Sequence, residues 1–309
     1  MTIVKSFYSI EKKIQRINSH YLRILLIVLN SACLNLWYTV YNKLFGYNNN
    51  KQIQREKYVD LETLVSLTTY PQRMNKLPLV LESIFRQTVK VDRVILWLAE
   101  NQYDDKQKLY RIFQKYIKLG LEIKFCDDLK PHKKYYYSIL ENPEAIVITL
   151  DDDIIYPEDL VEKLLLCYKD NPNCIVAQRA HWMTYDSNNN LNPYSLWEML
   201  APGRKGPSMN LFATTGGGCL FPPHILPQEA FNKEAIHSYC INADDVWIKC
   251  MSYYNNVKVV LTDKDNPEII EIMSLHKDGL AKQNVVNNMN DHQLRAVSDY
   301  YGIKWEPEA

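Results

Sequence analysis

Glycine is scarce in this chain, at 9 of 309 residues, which excludes a collagen-like or Gly-rich low-complexity protein. Charge of one sign is missing too. The 36 Lys and Arg balance 36 Asp and Glu, so nothing electrostatic points to a nucleic-acid partner. No repeat with a period of roughly 20–50 residues is visible, which argues against a solenoid. Paired cysteines are absent: the seven are Cys33, Cys126, Cys167, Cys174, Cys219, Cys240 and Cys250, with no C-x-x-C. An odd number lying partly inside apolar runs reads as reduced, mostly buried thiols and a cytosolic setting. Long hydrophobic runs are limited to one, which excludes a polytopic transporter. What remains, 47% hydrophobic and 23% charged residues, is the composition of a globular protein rather than a disordered one.

The single apolar run, residues 24–41 (ILLIVLNSACLNLWYTVY), follows Lys12, Lys13, Arg16 and Arg23. It starts too late for a signal peptide and lacks a small-residue cleavage site. Ser31, Asn35 and Thr39 recur every fourth residue, and Asn42 or Lys43 continues the stripe. That spacing predicts one polar helix face, hence an amphipathic helix on a membrane, on the protein or on a partner. A single membrane span is the alternative. The expected segmentation is an N-terminal helical segment over 1–46, a polar linker over 47–59, a globular domain over 60–275 and a C-terminal tail and helix over 276–309.

Short β-type runs alternate with helical patterns from residue 61 onward. Strands are expected at 61–68, 91–98, 121–125, 145–150, 174–178 and 257–262. Helices are expected at 76–87, 104–119, 133–140, 157–168 (with Pro157 at its first position), 242–251 and 290–300. Gly120 stands where a helix C-cap would be. This β-α-β order predicts an α/β fold with a mixed, mostly parallel sheet flanked by helices. Five of the nine glycines fall between 203 and 218, three of them consecutive (Gly216, Gly217, Gly218). In so Gly-poor a chain, this marks backbone that turns sharply or passes close to a ligand.

Chemistry concentrates in two acidic clusters. Asp151, Asp152 and Asp153 follow directly on the apolar strand AIVITL. Ligands of open α/β sheets bind beyond the carboxyl ends of the strands. Three adjacent carboxylates there are costly without a cation, and Mg²⁺ or Mn²⁺ answers that need while bridging to substrate phosphates. The plainer reading is a solvated acidic turn. Asp244 and Asp245 begin a helical run, as a general base or as favourable charge at a helix N-terminus.

The ordered set VSLTTYPQR (65–73), VDRVILWLAENQY (91–103), GLEIKFCDDLKPHKKY (120–135), AIVITLDDDIIYPEDL (145–160), IVAQRAHW (175–182), TTGGGCLFPP (214–223) and ADDVWIKCM (243–251) resembles the GT-A-type glycosyltransferases. The nearest likeness is to family-2-like bacterial enzymes of surface and capsular polysaccharide synthesis, over about two-thirds of the chain. The resemblance implies a Rossmann-like GT-A fold and a role for each matching residue. Thr68, Thr69 and Tyr70 would form the nucleotide-binding loop. Glu100, or Asp128, would meet the nucleobase or ribose, and Lys133 or Lys134 would approach the nucleotide. Asp151 and Asp153 would hold Mn²⁺ or Mg²⁺ against the diphosphate, with Asp152 between them able to take over one role. Arg179 and His181 would line the cleft. Gly216, Gly217 and Gly218 would approach the sugars. Asp245 would be the base and Asp244 would bind the acceptor hydroxyl. Trp247 would pack the helix or stack on a sugar. His276, in SLHKDG, would be a third metal ligand.

The implied activity is metal-dependent, inverting transfer of a sugar from a nucleotide-diphosphate donor, a UDP-sugar first of all, to a hydroxyl of a glycan or lipid-linked acceptor. The implied place is the cytoplasmic face of a membrane, peripheral or held by one N-terminal anchor. A nucleotidyltransferase is the alternative enzyme, but VSLTTYPQR lacks the glycines of a phosphate-binding loop. A non-catalytic carbohydrate-binding protein on the same fold is the other.

Overall fold

Period-two alternation within the short apolar runs decides the architecture. In the computed structural model, which describes residues 3–45, 58–266, 269–272 and 288–308, Leu64 and Val147 enter one buried cluster. Their neighbours Val65, Ile146 and Ile148 enter another. A strand buried on both faces therefore separates two cores, which is why AIVITL is apolar except for Thr149.

In chain order the elements are α1 (Ile3–Ile14), α2 (His20–Phe45), β1 (Thr63–Thr68), α3 (Leu77–Phe85), β2 (Arg93–Ala99), α4 (Lys106–Ile112), α5 (Gln114–Ile117), β3 (Leu121–Cys126) and α6 (Lys133–Glu141). They continue as β4 (Ile146–Leu150), α7 (Leu160–Asp170), β5 (Ile175–Ala177), β6 (Ala180–Trp182), β7 (Leu211–Ala213), β8 (Cys219–Phe221), α8 (Lys233–Tyr239), α9 (Asp244–Tyr254), β9 (Val259–Leu261) and α10 (Met289–Tyr301). Among the described residues the main sheet has seven strands, ordered β3-β2-β1-β4-β8-β5-β9. β8 alone runs antiparallel to its neighbours, and β6 and β7 form a separate two-stranded ribbon. The mixed, mostly parallel sheet is the one expected. β8 was not foreseen: three residues after a glycine turn are too few to show a period.

Two expected helices differ from the reading. Residues 104–119 divide into α4 and α5 because Phe113, fully buried, leaves helical geometry at the junction. Pro157 precedes α7 rather than opening it, and its carbonyl accepts from Leu160 N and Gln87 Nε2.

The N-terminal helices dock on the sheet domain. Val4 and Tyr8 of α1 and Leu34 and Tyr38 of α2 join the core beside α3 and α7. The Tyr8 hydroxyl donates to Ile155 O at 2.8 Å and accepts from Ile270 N at 3.2 Å. Lys5 pairs with Asp159 at 3.1 Å. Two residues of the polar stripe meet the sheet domain. Asn35 Nδ2 donates to Glu271 O, and Ser31 borders the cavity described below.

Candidate functional site

β1 and β4 are adjacent and parallel, so their carboxyl ends lie side by side. The Thr69-Tyr70 turn and the Asp151–Asp153 turn therefore meet. α6 covers that junction, and its Lys134 carbonyl accepts from Ser66 Oγ of β1 at 2.5 Å. The glycine turn before β8 closes a third side, fixed by the Thr149 hydroxyl donating to Thr215 O at 2.9 Å. The N-terminus of α9 brings Asp244 and Asp245 to the same place. All border one cavity of about 1140 Å³, large enough for a nucleotide-sized ligand and a second substrate.

Lys134, 2% exposed, connects the two acidic clusters. Its Nζ lies 2.5 Å from Asp151 Oδ1 and 3.0 Å from Asp244 Oδ2. Burial opposes its charge, but Asp151, Asp244 and Asp245 outweigh burial and raise its pKa. Arg73 faces the other side of the first cluster only. Its Nη1 meets Asp152 Oδ1 at 2.6 Å and Asp153 Oδ2 at 2.7 Å, and its guanidinium stands 5.2 Å from the Tyr70 ring centre.

The three consecutive carboxylates are not equivalent. Asp152 is 5% exposed and engaged at both oxygens, by Arg73 at Oδ1 and by Thr69 Oγ1 at Oδ2. Asp151 and Asp153 are 39% and 23% exposed, and both border the cavity. Burial, then Asp151 and Asp152, push the Asp153 carboxyl up to about 7. Three carboxylates face Arg73 and a lysine shared with Asp244, so negative charge is in excess. Oxygen donors in excess of nearby cations fit Mg²⁺ or Mn²⁺, which commonly take one or two carboxylates and complete their shells with phosphate and water. Among the described residues, no group of three or more His, Cys, Asp or Glu side chains is arranged as a metal cage. Residue 276, the expected third ligand, lies outside the described residues.

Asp245 and Asp244 are adjacent in sequence and opposite in state. Asp244 accepts from Thr215 Oγ1 at 2.8 Å as well as from Lys134. These contacts overcome burial and hold its carboxyl below the ordinary range. It is thus locked in an internal ion pair rather than available to an acceptor hydroxyl. Burial and the Asp244 charge instead push Asp245 up to about 7, against Lys134 and the Thr215 donors. Thr215 N and Oγ1 reach Asp245 Oδ1 at 2.7 and 2.6 Å, which orients it.

Gly216 has a specific steric cause. A Cβ there would coincide with the Asp151 carboxylate. The Tyr156 hydroxyl fixes this contact, accepting from Asp151 N at 2.7 Å and donating to Gly216 O at 2.5 Å. Gly216→Ala is therefore expected to displace the Asp151 carboxylate from its place beside Lys134, which a crystal structure of the variant would show.

Most expected site residues are gathered. Thr68, Thr69, Tyr70, Asp128, Lys134, Asp151, Asp152, Asp153, Gly217, Asp244 and Asp245 all border the cavity. Asp128 sits in a polar corner, accepting from Gln102 Nε2 at 2.8 Å and Lys133 Nζ at 2.5 Å. Glu100 is not brought in: its side chain is 65% exposed and pairs with Lys106. Gly218 lies behind the cavity wall, packed against Leu160 and Gln178, with φ +107°. His181 borders the cavity, but burial and Arg179 lower its pKa to about 3, and its Nδ1 accepts from Leu200 N. Trp247 is core, donating to Ala230 O. Arg73 and Tyr156 lay inside the quoted motifs without a role, because sequence separations of 79 and 60 residues from their partners leave no local signal.

Comparison with solved structures supplies the fold. A mannosyltransferase from Pyrobaculum calidifontis, in complex with GDP-Man and Mn²⁺, is similar over 92% of this chain and 76% of its own, with a TM-score of 0.51 and 12% identity. S. aureus TarS 1–349 in complex with UDP-GlcNAc is similar over 80% of this chain and 68% of its own, with a TM-score of 0.50 and 10% identity. The chain has a GT-A-type fold. No protein-family profile matches the sequence, and no curated protein matches it. In this GT-A fold the Asp151–Asp153 turn stands at the carboxyl end of the central strand β4, where open α/β sheets bind ligands.

Proposed function

We propose that this protein is a metal-dependent glycosyltransferase that moves a sugar from a nucleotide-diphosphate donor to an acceptor hydroxyl with inversion. The observation that carries the reading is Lys134, whose ammonium joins Asp151 of the acidic turn to Asp244, the neighbour of a buried carboxyl raised to about 7, in one cavity. The sequence resemblance adds surface-polysaccharide assembly as the setting, and the complexes of the two similar structures suggest a GDP- or UDP-sugar as donor.

Asp245 takes the acceptor hydroxyl proton as the oxygen attacks the anomeric carbon. The bond from that carbon to the diphosphate oxygen breaks in the same displacement, and its electron pair leaves with the nucleoside diphosphate. Lys134 holds Asp151 in place and, through Asp244, sets the basicity of Asp245. Arg73 and Thr69 engage both oxygens of Asp152, so Asp151 and Asp153, each tied to one cation and more open to the cavity, would be the pair that holds Mn²⁺ or Mg²⁺. When bound, the cation would offset charge on the departing diphosphate. The polar corner at Asp128, Gln102 and Lys133 offers hydrogen-bond partners for the nucleoside, a place that Glu100 cannot serve from its surface ion pair.

The test is release of nucleoside diphosphate from a panel of nucleotide sugars with Mn²⁺. A protonated Asp245 accepts no proton, so kcat/KM should fall about tenfold per pH unit below about 7. Asp244→Asn removes the adjacent like charge, lowers the Asp245 pKa and should move this limb to lower pH. A rate loss with the limb unmoved would deny Asp244 that role. Absence of turnover with every donor would sink the proposal itself.

A further inference from the structure

One face of α2 binds the protein and another is bare. Leu34 and Tyr38 are buried in the core, and Asn30 Nδ2 donates to Phe7 O and Glu11 Oε2 of α1. About 140° round the helix, Leu22, Leu25, Leu29, Leu36 and Val40 form a stripe between 46% and 70% exposed. Nothing else in the described chain covers it. Ile27 and Ser31 on the docked side, and Val28 between the two faces, border the catalytic cavity. The helix is thus a wall of the site on one side and an exposed aliphatic surface on the other.

We propose that α2 lies flat in the surface of a lipid bilayer and opens the cavity toward it, so that the acceptor taken is a lipid-linked one; this rests on the glycosyltransferase reading. Four observations favour lipid over a second copy or another protein. The bare stripe is aliphatic apart from Cys33, carries no charge, and covers 19 residues from Leu22 to Val40, about 27 Å. It presents none of the Trp or Arg anchors typical of protein interfaces. Tyr21, 86% exposed, stands at one end of it, as aromatic side chains do at a membrane interface. Lys13 and Arg16 are exposed at the α1–α2 turn, where anionic headgroups would meet them. A helix crossing the bilayer is disfavoured by geometry. His20–Tyr41 is apolar and long enough to span, but Asn30 and Asn35 hold docking hydrogen bonds along its middle. Spanning would strip those bonds in hydrocarbon.

Val28 links the two surfaces. It is 50% exposed on the outside of the helix and also borders the cavity, next to Ile27 and opposite Ile269 and Ile270. Ile27, Val28, Ile269 and Ile270 would offer apolar contact to a hydrocarbon chain entering there, beside the polar groups of the same cavity.

The test uses the full chain and flotation with vesicles of equal phosphatidylcholine and phosphatidylglycerol. Wild type should float with the vesicles. Leu25→Glu/Leu29→Glu/Leu36→Glu, changed only at exposed positions, should lower the partition coefficient at least tenfold while keeping its melting temperature. Wild type that stays in the aqueous fraction, or a variant that still floats, would overturn the proposal. So would a wild-type dimer by light scattering without lipid that the variant abolishes, because a second copy would then be the occupant. Mn²⁺-dependent nucleotide binding, measured on both proteins, separates this outcome from failure of the glycosyltransferase reading. Flotation with no nucleotide binding would retain the membrane face and remove the enzyme.

Discussion

Asp245→Asn is expected to lower sugar transfer by about two to four orders of magnitude, the usual contribution of a positioned general base. The substitution is nearly isosteric. The Asn carbonyl oxygen can still accept from Thr215 N and Oγ1, which hold Asp245 Oδ1 at 2.7 and 2.6 Å. It also removes one of two buried neighbouring charges, so the fold should be unharmed or slightly steadier. Nucleotide binding should survive, because Asp151 and Asp153 reach the cavity from β4 and not from α9. Rates of nucleoside diphosphate release, read beside nucleotide affinity, check both halves. Turnover within a few fold of wild type would mean that another group takes the proton.

Lys134→Met should produce the largest loss of stability. The lysine is 2% exposed and stands between Asp151 and Asp244. Removing one partner of a buried ion pair typically costs about 3–5 kcal/mol, because the remaining charge is left uncompensated. Methionine keeps much of the side-chain volume, so the deficit would be electrostatic. Its pH dependence has a definite sign. Asp245 already has a folded-state pKa raised to about 7 by burial and Asp244, and losing Lys134 raises it further. A carboxyl with a raised folded pKa keeps its proton in the folded state while the unfolded chain ionises. Stability then falls as pH climbs from the ordinary carboxyl range through the folded pKa. The deficit should therefore be larger at pH 8 than at pH 5. Urea unfolding at the two pH values measures it. A loss under about 1 kcal/mol at pH 8 would deny Lys134 its linking role.

The sheet and its acidic turn were legible because both are local. AIVITL is apolar except for Thr149 since β4 is buried on both faces, and Asp151–Asp153 follow it directly. The apolar spacing of α3 placed it within a few residues, and α7 and α9 lie within a few residues of the helices expected there. The antiparallel β8 escaped notice because three residues carry no period. The partners of the acidic cluster were harder to see. Arg73 is 79 residues from Asp152, and Thr215 is 30 from Asp245, and only the crossing of chain segments joins them. Glu100 was misplaced because the end of β2 reads the same whether its side chain turns to the cavity or to Lys106. The polar stripe of α2 was seen, but the sequence could not tell that Ser31 and Asn35 face the domain and its cavity while the leucines stay bare.

The most direct measurement is a thermal-shift screen of the full chain against UDP, GDP, CMP and dTDP, each with and without Mn²⁺, repeated on Asp151→Asn. A ligand bound only by the folded state raises its melting temperature, by several degrees at about a hundred times its dissociation constant. The account predicts a shift with one nucleoside diphosphate that requires Mn²⁺ and is lost in Asp151→Asn. A shift with none of the four, or one that ignores both the metal and the substitution, would contradict it.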